Sequence, residues 1–172
     1  MCSLDPCFSS EFEADSKVYS RRYRCVDSVS FSSMRDFRKA IRKGYDIVHV
    51  FSFVASGGLL EDTNGVTLLG SELIDECCKR DVKLLWIANG NESNEYVNGF
   101  KVAGKPLNLI MTLNRNGTNF AEFLDKLVSR VAVGQTLPAA WTALAPQADG
   151  PWQEKLPSCI FFAGRADAKL LA

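Results

Sequence analysis

The sequence predicts an α/β fold, a three-layer α/β/α sandwich around a mainly parallel sheet, on two observations. Four segments, 46–53 (DIVHVFSF), 82–88 (VKLLWIA), 106–113 (PLNLIMTL) and 157–162 (PSCIFF), are apolar on both faces over strand length, as strands covered on each side require. Amphipathic helical patterns fall between them, so strands and helices alternate along the chain. At 172 residues the chain has the size of one domain.

Polar residues dominate 1–20, read as a poorly ordered segment ahead of a single domain over 21–172. Val26 to Phe31 suggests a first short strand. The stretch SSMRDFRKAIRKG predicts a helix with Met34, Phe37 and Ile41 inward, a serine cap before it and Gly44 after it. Residues 46–53 then form a buried strand. GGLLEDTNGVTLLG places apolar pairs around a Thr-Asn-Gly turn, which suggests a small hairpin or an excursion beyond the sheet. In SELIDECCKRD, Leu73, Ile74, Cys77 and Cys78 share one helical face, so the adjacent cysteines read as core residues before they read as a redox pair. NFAEFLDKLVSRVAVG has Asn119 and Glu122 in a capping-box relation and Gly134 as its stop. LPAAWTALAP follows as a short helix with Pro138 in its first turn and Trp141 inward.

Composition excludes several function classes. Lys plus Arg and Asp plus Glu balance at 20 each, which argues against nucleic acid or an anionic membrane as partner. The basic runs SRRYR and RDFRKAIRK read as solvated faces. Six cysteines lack paired C-x-x-C spacing, so a structural zinc site is not expected and the thiols read as reduced. The first residues show neither a secretory leader nor an apolar anchor, so the expectation is cytoplasmic. The Asn-Gly pairs then mark turns rather than glycosylation sites. No phosphate-binding glycine motif is present, so no nucleotide cofactor is expected. One histidine without clustered carboxylates leaves no metal site, and no G-x-S-x-G elbow accompanies it.

The order of YDIVHVFSFVASGG, GVTLLGSEL, VKLLWIANGNES, FAEFLDKLVSRVAVGQTLPAAW and LPSCIFFAG, over roughly residues 30 to 165, resembles the CHAT domain, a caspase-like cysteine peptidase fold. In active members the first strand reads Asp-Ile-Val-His followed four residues later by the catalytic histidine, and the second ends at the nucleophilic cysteine. Asp46, Ile47, Val48 and His49 match the start of the first strand, so the base position falls on Phe53. Trp86, Ile87 and Ala88 match the approach to the nucleophile, so the cysteine position falls on Asn89. The resemblance therefore implies a caspase-like module without its dyad. Phenylalanine carries no exchangeable proton and a carboxamide is not a nucleophile. Loss of both members should cost on the order of 10⁶ in rate.

His49 lies four residues, about 13 Å, from position 53, too far to substitute for the base, and reads as a core histidine held by a neighbouring carbonyl or hydroxyl. The expectation is an inactive protein-interaction or regulatory module, with relatives of this kind implying a bacterial defence or signalling complex. The alternative is a hydrolase or peptidase of altered chemistry using polar residues of the cleft, Ser52, Ser56, Asp62, Asn89 and Glu92. A protein partner is expected. The apolar final strand suggests a sheet edge open to a homodimer contact near Ile160 to Gly164, unless the tail RADAKLLA folds back over it.

Overall fold

A computed structural model of the chain describes residues 1–30, 33–88, 90, 96, 99–115, 118–144 and 158–170. The main sheet holds β1 (Cys2–Ser3), β2 (Val29–Ser30), β3 (Ile47–Phe51), β7 (Leu84–Ile87), β8 (Asn108–Asn114) and β9 (Ser158–Ala163). Their order is β2-β1-β3-β7-β8-β9, parallel throughout except for β9, which runs antiparallel along β8 at the edge. The four strands expected from the sequence are thus contiguous neighbours.

Helices cover both faces. On one, α2 (Met34–Ile41) and α3 (Gly70–Lys79) bury Met34, Phe37, Ile41, Leu73, Ile74 and Cys77 against Val48, Val50, Leu85 and Leu109. On the other, α1 (Ser9–Arg22), α4 (Thr118–Ala132) and α5 (Leu137–Leu144) close over Phe51, Trp86 and Ile110. The period-2 alternation of a strand makes this division: Val48 and Val50 face one layer, His49 and Phe51 the other. The result is a three-layer α/β/α sandwich. β4 (Val54–Ala55), β5 (Leu59–Glu61) and β6 (Thr67–Leu69) form the expected hairpin excursion as a small antiparallel sheet.

The N-terminal residues depart from expectation. Rather than standing outside the domain, Cys2 and Ser3 pair with both β2 and β3, and residues 9–22 are helical. Leu4, Phe8, Val18 and Tyr19, interspersed with charged residues, supply the anchoring burial. Of the first short strand expected over Val26 to Phe31, Val29–Ser30 are strand, exposed at the opposite edge from β9, Val26 to Ser28 are not, and Phe31 lies outside the described residues. Helix ends follow their signals more closely. Ser33 Oγ accepts from Asp36 N at 3.2 Å, and Gly44 adopts φ +82° beyond the helix. After β9 the tail turns back. The side-chain amide of Asn108 donates to Arg165 O (3.0 Å) and accepts from Arg165 N (3.2 Å), and Lys169 bridges to Thr136 ahead of α5. Among the described residues no helix is long and apolar enough to cross a membrane.

Candidate functional site

β3 and β7 are adjacent and parallel, with His49 opposite Trp86 and Val50 opposite Ile87. Their carboxyl ends therefore open side by side, where ligands of such sheets gather. Phe53, two residues beyond β3, is 53% exposed, with its ring 4.8 Å from Phe8. Asn89, two residues beyond β7, and Glu92 lie outside the described residues.

The remaining cleft candidates are dispersed. Ser52 is buried and donates to the carbonyl of Phe53 (2.8 Å). Ser56 is exposed in the turn after β4. Asp62 is buried in the hairpin turn: Oδ1 accepts from the backbone N–H of Asn64 (2.9 Å) and Val66 (3.0 Å), and Oδ2 from that of Met34 at the start of α2. Burial pushes its pKa up, but the three donors more than reverse this and hold the carboxyl below its ordinary value. Asp62 thereby latches the hairpin onto α2, and none of these three polar residues pairs with another.

His49 belongs to a different cluster. Fully buried in the α1/α4 layer, its ring stacks between Phe51 (5.3 Å, 15°) and Trp86 (5.1 Å, 12°). Its Nδ1 is 2.9 Å from the Tyr19 hydroxyl, and its Nε2, without a hydrogen-bond partner, is 3.5 Å from Asp15 Oδ2. Arg115, just past β8, grips both oxygens of Asp15 (2.9 and 3.0 Å) and donates to Ala88 O (2.9 Å). Its guanidinium lies over Phe120 at 3.8 Å and Phe51 at 5.1 Å. Asp15 is fully buried and the Arg115 side chain is 14% exposed. The network therefore ties α1 to the carboxyl ends of β7 and β8.

Burial, assisted by the positive Arg115, holds the His49 pKa well below its ordinary value. Burial likewise raises Asp15 to about 6, against the lowering pull of Arg115. Their linkages to stability are opposite. Below the unfolded histidine pKa of about 6.5 only the unfolded chain takes up the proton, so His49 costs stability as pH falls. Asp15, with its raised folded pKa, adds stability below its unfolded pKa, and that contribution is lost as pH rises towards 6. His49→Phe should therefore flatten or reverse the acid destabilisation between roughly pH 6.5 and 4.5. Urea unfolding across that window tests this, and an unchanged pH slope rejects a neutral His49.

The thiols lend no help at the strand ends. Burial pushes Cys2 and Cys159 up to about 12, and Cys77 higher, away from the reactive thiolate form. No group of metal-ligating side chains occurs among the described residues. Comparison with protein-family models and with curated proteins gives no match for this chain. Sequence reasoning missed Asp15, Tyr19 and Arg115. A signal existed in the helical spacing of Phe8, Phe12, Asp15 and Tyr19, which share one stripe of the chain.

Proposed function

We propose that the chain is a catalytically inactive protein-interaction or regulatory module on a CHAT-type, caspase-like scaffold, acting in the cytoplasm within a bacterial defence or signalling complex. The supporting observation is the pairing of β3 with β7, whose neighbouring carboxyl ends are followed in sequence by Phe53 and Asn89, while the chain's single histidine faces the α1/α4 layer, stacked between two rings. An imidazole held there, neutral and bonded to Tyr19, is not within reach of a scissile carbonyl bound at the strand ends. Association uses the β9 edge near Ile160 to Gly164, where Phe162 is 37% exposed.

Fluorogenic peptide substrates and thiol- and serine-directed probes should show no turnover and no selective labelling at the strand ends. Phe53→His with Asn89→Cys should create a reactive thiol there. Hydrolysis by the unmodified protein, abolished by Ser52→Ala or Ser56→Ala, would favour the altered-chemistry hydrolase and overturn the inactive reading. In sedimentation Phe162→Lys should lower the mass of any dimer. Phe162 serves better than Phe161, whose ring packs 4.9 Å from Trp141. Equal monomeric masses for both proteins remove self-association.

A further inference from the structure

We infer that the groove between α2 and β6 docks an extended acidic segment of a partner protein. It is an open groove of about 950 Å³, with α2 as one wall and Val66 and Thr67 as the other. Arg35, Lys39 and Arg42 line it at helical spacings of four and three, exposed and without an ion-pair partner among the described residues. Arg38, beside them, is already engaged: its guanidinium donates to Glu76 at 2.6 and 2.9 Å. The carboxylate of Asp36, also in the lining, accepts a hydrogen bond from Ser33 at the helix cap (2.7 Å).

Three features beyond charge choose the occupant. Val66, 52% exposed, gives the opposite wall an apolar anchor. Among the described residues β6 pairs only with β5, which leaves its outer edge free there for an extended segment to meet. Spacing also fits: alternate side chains of an extended chain repeat at about 7 Å, close to the rise of about 6 Å between Arg35 and Lys39. A segment alternating acidic and apolar residues thus sets carboxylates on α2 and an aliphatic side chain on Val66. A nucleic acid uses neither the apolar wall nor the strand edge, and the chain's zero formal net charge supplies no broad field to hold one. The surface is separate from the positions probed at the strand ends and from β9, so it stands or falls independently of the inactive-peptidase reading, whose interaction role it deepens.

The probe is a fluorescein-labelled peptide of alternating Glu and Val, about ten residues long, followed by anisotropy at low salt. Binding should saturate and weaken at least about tenfold in the triple variant Arg35→Glu, Lys39→Glu, Arg42→Glu. Circular dichroism confirms folding, which exposed substitutions should spare. Val66→Asp should weaken the alternating peptide more than an all-Glu peptide of equal length. No binding by the unmodified protein, equal binding by the triple variant, indifference to Val66→Asp, or tighter binding of labelled duplex DNA each overturns the inference.

Discussion

Arg115→Met should destabilise the protein by about 3–5 kcal/mol at neutral pH, measured by urea unfolding, because it strands the buried Asp15 carboxylate. Arg115 supplies both of that group's charged contacts and also holds Ala88 O. The shape of the loss identifies its cause. Without the guanidinium that holds it down, the Asp15 pKa should rise further above about 6, so the carboxyl protonates on mild acidification and the deficit shrinks. The variant should therefore lie closer to the parent at pH 5 than at pH 8. Asp15→Leu combined with Arg115→Met should recover most of the loss, since removing a whole buried ion pair is far less costly than removing half. A deficit that is independent of pH and not relieved in the double variant would assign the role of Arg115 to its stacking on Phe120 and Phe51 instead.

The second large effect lies at the hairpin. Gly58→Ala should cost about 2–5 kcal/mol, the sum of backbone strain and overpacking. Gly58 sits at φ +76°, and a Cβ there would lie 2.2 Å from the Cα of Gly99, a clash between two backbones that no rotamer can relieve. Gly99→Ala meets the same obstacle from the other side, 2.1 Å from the Cα of Gly58. Gly57→Ala is the control. Its φ of +77° carries the conformational penalty, but nothing lies within 4 Å of the added atom, so about 1–2 kcal/mol is expected. Urea unfolding of the three variants separates strain from contact. Equal losses at positions 57 and 58 would mean that the Gly58–Gly99 approach adds nothing.

β3, β7 and β8 were legible because a strand covered on both faces must be apolar at nearly every position, and Val48, Val50, Leu85, Trp86, Leu109 and Ile110 satisfy that locally, whereas β9 was found by its apolar run although it lies at the edge with Phe162 37% exposed. β1 was not, since two residues carry no periodicity and their place between β2 and β3 is decided by distant partners. α1 was obscured by its own chemistry: the residue that completes its inward stripe is a carboxylate, and Asp15 is buried only because Arg115, a hundred residues away, neutralises it. Phe53 was singled out through the family resemblance, four residues on from His49, and it lies two residues beyond β3. Asp62 reads as a cleft acid when only its residue type is visible. Three backbone N–H groups aimed at it, an arrangement no one-dimensional pattern displays, make it a latch.

The position of β9 also bears on synthesis. β8 is buried from Asn108 to Thr112, yet one of its two neighbours is the last strand among the described residues. As the polypeptide leaves the ribosome, residues 108–111 can pair with β7 well before residues 158–163 have emerged. During that interval an apolar strand presents an open edge, the kind of surface on which nascent chains adhere to one another or recruit chaperones. A message truncated after α5 would make that interval permanent.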